Sequence, residues 1–311
     1  MPVISVITCT HNPRPDYLQR ALDALKAQTM PKEQWELLLI DNASKEPLAP
    51  GWDLSWHPQG RHVREDELGL TPARLRGLNE STGEFIVFVD DDNVLAPDYL
   101  EEVASLFHLW PKLGAIGASI KGEFEVPPPD WITPYFEWLV VYELPRDYWS
   151  NFNGWSRATP YGAGLSVRRE VANDYVQKVM KSPLRRMLDR SGTSLLMGGD
   201  LDLAWCATDM GLGTGRFRSL RMTHLISKGR MTESYLVRSQ AGCAASYKIL
   251  EAIRDHDLAI PSSSLKKRIR FLINYWRSKG VARKVLVASA KAEGEARKII
   301  ATHQSAGGEK V

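Results

Sequence analysis

The 311-residue chain is longer than one ordinary domain, with 43% apolar and 25% charged residues, the balance of a soluble globular protein of one large domain plus an extension, or of two domains. Its formal net charge of +3 argues against a general nucleic-acid binder, and no apolar run approaches the length of a membrane-spanning helix. The first apolar residues are interrupted by Thr8, Thr10, His11 and Asn12, so no signal peptide is expected, and three cysteines without metal spacing suggest reduced thiols in the cytoplasm.

Val3–Cys9 reads as a first strand. Asp16 can cap the segment in which Leu18, Ala21, Leu22 and Leu25 recur at helical spacing, and Pro31 ends it. Trp35–Ile40 is a second strand, stopped by Asp41-Asn42-Ala43-Ser44. A strand, a helix and a strand with polar residues at each strand's end open a parallel α/β sheet. His62–Arg64 reads as a short edge strand. A helix follows, with Thr71 as N-cap and Pro72 at its first position, ending near Gly83.

Phe85–Val89 is a buried strand that runs directly into Asp90-Asp91-Asp92-Asn93. Three crowded carboxylates repel one another unless a cation neutralises them, and hard oxygen donors suit Mg²⁺ or Mn²⁺. The same residues also read as a solvated turn before the next helix, Tyr99–Trp110. Ala115–Ile120 is another strand. From Val126 to Trp155 three consecutive prolines (127–129) and nine aromatics crowd together, lining a sugar or lipid pocket, forming a hydrophobic cluster or presenting a partner surface.

Gly162–Val167 returns to strand character, and a helix covers Glu170–Met180. Gly198-Gly199-Asp200-Leu201-Asp202 is a second acidic cluster at a glycine turn before a helix, which Asp200 can cap. Gly211, Gly213 and Gly215 lack the context of a dinucleotide fingerprint. Met222–His224 reads as the end of a short apolar segment. Beyond Glu233 the pattern is helical, interrupted near Pro261, with a tail from Thr302 expected to be disordered. Residues 261–311 carry 12 Lys/Arg against 3 Asp/Glu. The basic amphipathic stretch Lys266–Trp276 fits an anionic membrane surface, and equally packing on the main domain or a partner.

Taken in order, these motifs resemble the family 2 inverting glycosyltransferases of the GT-A fold. Val6–Asn12 is similar to the family's first-strand signature and Leu39–Ser44 to its second. Gly69 with Ala73-Arg74-Leu75-Arg76-Gly77 is similar to its Gly…Ala-Arg-Asn-x-Gly stretch, with Leu75 in place of Asn. Val89–Asp92 is similar to Asp-x-Asp, and Gly199–Leu203 to Glu-Asp-x-Asp/Glu-Leu, with Gly199 in place of Glu. The resemblance covers roughly residues 2–240. It implies an α/β fold with a mixed, mainly parallel sheet flanked by helices and a C-terminal helical extension. Residues 1–240 would form the transferase domain (1–120 for the nucleotide, 121–240 for acceptor and catalysis), and residues 241–311 a basic helical extension.

It further implies a metal-dependent inverting transfer of sugar from a nucleoside-diphosphate sugar to a hydroxyl acceptor, glycan, lipid-linked or other. Thr8, Thr10 and Asn12, with Asp41, Arg74, Asp90 and Asp91, would meet the donor. Asp92 and His224 would hold Mn²⁺ or Mg²⁺, and Asp200 would be the general base. The product class would be a glycan or polysaccharide, made in the cytoplasm or at the inner membrane face. Two alternatives stay open, an Mg²⁺-dependent nucleotidyltransferase and a sugar-nucleotide-binding protein without turnover.

Overall fold

The computed structural model describes residues 2–192, 194, 196–254 and 265–306. They form two compact units: residues 1–178 with 200–228, and residues 179–199 with 229–311.

The first unit is an α/β layer structure around one nine-stranded sheet, with strands β1 (Ile4–Thr10), β2 (Trp35–Asn42), β3 (Gly60–Glu65), β4 (Phe85–Phe88), β5 (Asn93–Leu95), β6 (Leu113–Phe124), β7 (Tyr148–Ser150), β8 (Ser166–Arg168) and β9 (Gly213–Ile226). The order is β3-β2-β1-β4-β8-β6-β9-β5, with β7 on β9. β3, β2, β1 and β4 run parallel, as do the long β6 and β9, while β8, β5 and β7 pair antiparallel. β1 and β2 are buried along nearly their whole length, as strands covered by helices on both faces must be. His62–Arg64 lies in an edge strand as its short polar run suggests.

One face packs Leu18, Leu22 and Leu25 of α1 (Pro15–Lys26) with Tyr99, Val103 and Phe107 of α3 (Tyr99–Leu109) against Ile4, Val6, Leu37 and Val87. α2 (Leu70–Glu80) approaches β1 and β2 closely at Gly77, where a Cβ would come 2.5 Å from Ile7 Cγ2. α4 (Arg169–Lys181) leads out of the unit, and all but the first residue of α6 (Gly199–Asp209) returns in it.

Several local expectations are corrected. Thr71 is not the N-cap of α2; the cap is Gly69 at φ 150°, ψ 149°, a backbone open only to glycine. Its N–H donates to Asn42 Oδ1 at 2.9 Å, which ties the start of the helix to β2, and Thr71 is buried inside the helix. Asp16 does not cap α1 either. Pro15 opens that helix, and Asp16 pairs with Arg14 (2.6 Å) from its first turn. β8 starts only at Ser166, because Gly164 turns at φ +68° beneath Tyr99, whose hydroxyl donates to Gly164 O at 2.6 Å. Met222–His224 belongs to the 14-residue β9, entered through the glycines at 213 and 215; a Cβ at Gly215 would meet the Phe217 ring at 2.7 Å.

The second unit contains α5 (Pro183–Arg186), α7 (Glu233–Arg254), α8 (Leu265–Arg277) and α9 (Gly280–Ala306). α7 buries Leu236, Ala245, Ile249 and Leu250, and α9 buries Val281, Val285, Ala296 and Ile300. The disorder expected from Thr302 does not hold for the described residues, where α9 continues through Thr302 to Ala306; the rest of that tail lies outside them. The break near Pro261 lies outside the described residues. No helix among them is long and apolar enough to cross a membrane.

Candidate functional site

The acidic triplet is divided by the turn that follows β4. Asn93 N–H donates to Asp90 O (3.0 Å), and Asp90 N–H reaches back to Asn93 Oδ1 (3.3 Å). This reversal sends the Asp91 and Asp92 carboxylates different ways. Asp91 accepts a hydrogen bond from the Thr10 hydroxyl at the end of β1. Asp92 turns toward β9. Its Oδ1 accepts from Asn93 Nδ2 at 2.8 Å, and its Oδ2 lies 3.5 Å from His224 Nε2. Asn93 is the register partner of His224, so the β5–β9 ladder itself sets Asp92 beside the imidazole.

Asp92 and His224 are nearly buried, at 6% and 5% exposed, whereas Asp90 and Asp91 are half-buried. Two donors of one ion at about 2.1 Å stand about 3.0–3.4 Å apart, so this pair fits a divalent cation with small adjustment. Among the described residues no three His, Cys, Asp or Glu side chains gather as a ready cage. One carboxylate and one imidazole suit an ion whose remaining positions go to water and phosphate oxygens.

The ends of β1 and β2 are tied together. Asn12 sits at φ 47°, its N–H donating to Ser44 Oγ (2.9 Å) and its Oδ1 accepting from Lys45 N–H (3.0 Å). His11 Nδ1 lies 2.7 Å from Asn42 O, and Asn42 Nδ2 donates to Glu67 O at 2.7 Å. Asp41 closes the next loop, with Oδ1 accepting from Ser44 N–H and Oδ2 from Leu48 N–H, both at 3.1 Å, and with Arg64 Nη1 at 2.8 Å. Burial pushes its pKa up, but the bonds from Ser44, Arg64 and Leu48 outweigh it and hold the carboxylate below its usual range. Thr8 is fully buried, and its hydroxyl has no hydrogen-bond partner among the described residues.

Asp200 lies in the first turn of α6, half-buried. Its Oδ1 accepts from Leu201 N–H (2.9 Å) and its Oδ2 from Gly162 N–H (2.7 Å). Arg74, on the first turns of α2, is 3% exposed, with its guanidinium 5.7 Å from the Phe88 ring centre. The two charged groups converge on Gly162. A Cβ there would lie 3.1 Å from both Arg74 Nη2 and Asp200 Oδ2, so glycine leaves the space they occupy.

Gly199, the departure noted in the motif, also has a local reason. Asp189, at φ 74°, accepts the Gly199 N–H at 2.9 Å, and a Cβ at residue 199 would lie 2.1 Å from Asp189 Oδ2. The Asp189 carboxylate therefore fills the space that any side chain at residue 199 would need.

Thus Asp92 meets His224, Thr10 meets Asp91, and Asp200 meets Gly162 beside Arg74, while Asn12 and Asp41 lock loops. The sequence alone does not single out Arg64, Asn93 or Asp189. Asn93 has a signal in hindsight, as an amide directly after the acids at a strand end. The other two have none, because long-range pairing alone brings them in.

Residues 5–175 match the family model described as glycosyl transferase family 2. The glucosyl-dolichyl phosphate glucuronosyltransferase of Haloferax volcanii is 23% identical over 171 residues, which is 54% of this chain and 53% of that protein. Glycosyltransferase AglE of the same organism is 28% identical over 108 residues, 34% of this chain and 35% of that one. The chain therefore spans about half the length, or less, of these curated relatives. Among solved structures, S. aureus TarS 1–349, alone and in complex with UDP, aligns with TM-score 0.51 and 14% identity over 96% of this chain and 92% of that one, a likeness of fold.

Proposed function

Because the chain belongs to glycosyl transferase family 2 and so to the glycosyltransferase class of enzymes, we propose that it moves a sugar from a nucleoside-diphosphate donor to an acceptor hydroxyl by a single inverting displacement. The observation that carries this reading is Asp200, half-exposed, aimed by two backbone N–H groups and beside the Arg74 guanidinium at Gly162. In this reading Asp200 takes the acceptor's proton as the acceptor oxygen attacks the anomeric carbon from the face opposite the diphosphate. General-base help of this kind is worth about 10²–10⁴-fold. Arg74 faces the developing negative charge as a fixed cation.

Asp92 and His224 would hold Mn²⁺ or Mg²⁺. A divalent ion there supplies positive charge against the departing diphosphate. Thr8, Thr10, Asn12, Asp41, Asp90 and Asp91 would form the nucleotide side. The UDP complex of TarS supports a uridine nucleotide as the first donor to try. The aromatic stretch from residue 130 to 161 is the acceptor side in this scheme, and the relative's glucosyl-dolichyl phosphate substrate supports testing lipid-linked glycans.

Incubation with Mn²⁺ and a panel of UDP-, GDP- and dTDP-sugars, with and without acceptor mixtures, tests the proposal. Release of nucleoside diphosphate supports transfer. Pyrophosphate from a nucleoside triphosphate would make the protein a nucleotidyltransferase, and binding without turnover a sugar-nucleotide receptor. An Asp200→Asn variant that binds donor and keeps the full transfer rate would remove Asp200 from the base role.

The same reading extends to α8, which exposes Ile269, Leu272, Ile273 and Trp276 together with Arg270 and Arg277. A basic helix with exposed apolar residues fits an anionic bilayer, which would hold the enzyme at the cytoplasmic face of the membrane. Flotation with anionic liposomes at low salt tests it; a protein that stays at the bottom of the gradient does not bind there.

A further inference from the structure

Arg216 is a buried cation that the reaction scheme leaves unused. It lies on β9, opposite Gly117 of β6 and Tyr148 of β7, and is 5% exposed. Its guanidinium carbon stands 3.9 Å from the centre of the Tyr142 ring and 5.2 Å from that of Tyr161. Its Nε is buried without a hydrogen-bond partner, and no carboxylate among the described residues lies within ion-pair distance of it. The nearby acid, Glu137, is exposed and takes the Tyr161 hydroxyl at 3.3 Å instead. Burial pushes both phenols up, so neither supplies an anion at neutral pH. Aromatic faces partly offset the burial of a guanidinium, but they leave its in-plane N–H fork unused.

The fork belongs to the Asp200 side of the molecule. Pro160 covers Gly117, where a Cβ would meet Pro160 Cβ at 2.6 Å and the Arg216 stem at 3.9 Å. The next two residues are Tyr161, one wall of the arginine's stack, and Gly162, whose N–H holds Asp200. His224 shares β9 with Arg216, but their β6 partners are Gly122 and Gly117, roughly 16 Å apart at the usual strand rise. Arg216 is therefore remote from the Asp92–His224 pair.

We propose that Arg216, stacked on Tyr142, is the receptor for an oxyanion, a carboxylate or phosphate, carried by the sugar or the acceptor that meets Asp200. This rests on the transferase reading above and adds to it a charged substrate class. The planar guanidinium offers two parallel N–H groups, which match either oxyanion in bidentate fashion. A carboxylate would come from a uronic sugar on the donor, and a phosphate from the acceptor.

Direct titration, which needs no turnover, tests this with the full chain in Mn²⁺ at about 50 mM salt. UDP-glucuronate is compared with UDP-glucose for the first source, and glycerol 3-phosphate with glycerol, in the presence of UDP, for the second. In the wild type at least one charged probe binds about tenfold or more tighter than its neutral counterpart, the scale of a charge-assisted bidentate pair. Arg216→Gln abolishes that preference while leaving UDP affinity unchanged, and the pair that responds names the source. Arg216→Lys, which keeps the charge and loses the fork, retains only part of it and stands in if the Gln variant does not fold. Absence of any charge preference in the wild type overturns the proposal. So does a preference that survives in a folded Gln variant, or an equal loss of UDP itself. Failure of the transferase reading looks different, since it shows as absent diphosphate release whatever the charged probes do.

Discussion

Replacing Gly162 by alanine inserts one methyl group between the two charged groups that face each other in the candidate site. The backbone accepts the change, for Gly162 is not among the glycines at positive φ. The new Cβ would stand 3.1 Å from Arg74 Nη2, 3.1 Å from Asp200 Oδ2 and 3.3 Å from Asp200 Cβ. Ordinary contact is about 3.4–4.0 Å, so each group must retreat by a few tenths of an ångström. The 2.7 Å bond from Gly162 N–H to Asp200 then lengthens and the carboxylate turns. A displacement of about 1 Å costs about 10² in rate, so a third of that distance with some rotation predicts a kcat about tenfold lower, or about 1.4 kcal/mol at the barrier. Donor KM should move less than about threefold, and denaturation should show a loss of no more than about 1 kcal/mol. The assay is nucleoside-diphosphate release under saturating donor. An unchanged kcat would refute the claim that Asp200 and Arg74 act from these positions, and a stability loss above about 3 kcal/mol would show that Gly162 serves the fold instead.

Asp92→Asn and His224→Ala are each expected to weaken Mn²⁺ binding, titrated with UDP present, by more than about tenfold; a variant that keeps its affinity places the ion elsewhere. Gly199→Ala forces the Asp189 carboxylate aside and should cost about 1–3 kcal/mol in denaturant unfolding, with Asp189→Ser in the same chain recovering most of it. If the double variant is no better than the single, the Asp189 contact is not the cause. His57, buried against Trp35 at 4.0 Å, has its pKa pushed down to about 4, chiefly by burial and then by Lys32. The unfolded chain binds that proton near pH 6.5 and the native one does not, so the stabilisation is complete above pH 6.5 and is lost as pH falls toward 4. About 2 kcal/mol should disappear between pH 7 and pH 5, and His57→Phe should flatten that slope; an identical slope in the variant removes His57 as its source.

The parallel part of the sheet is legible in the sequence because β1, β2 and β4 are buried on both faces and read as mostly apolar runs, broken by Ser5, Thr8 and Glu36, that end in polar residues. β9 is not legible. Its glycines look like breakers, and Arg216, Arg218 and Arg221 hide its period until β6 is seen beside it, with a bulge between the two. Asp92 and Asp200 stand out as acids at strand and helix starts. The groups that aim them do not: Gly162 reads as a strand glycine, Asp189 as an ordinary surface acid, and Arg64 as one basic residue among many. Helix starts fail for a related reason, since Gly69 is held in place by Asn42 on another strand. Local propensity says nothing about partners that only tertiary pairing supplies.

The knot of bonds linking His11, Asn12, Asn42, Ser44 and Gly69 has a consequence for how the protein works through a cycle. Those loops are stiffened during folding, so under the proposed function a nucleotide would meet a preformed cradle there and little entropy would be lost in shaping it. Adaptation to a large acceptor would fall to the stretch around residues 145–162, where Trp149, Phe152 and Trp155 stand exposed. On that proposal the nucleotide side is a rigid anvil, and whatever breathing turnover requires would belong to the acceptor side.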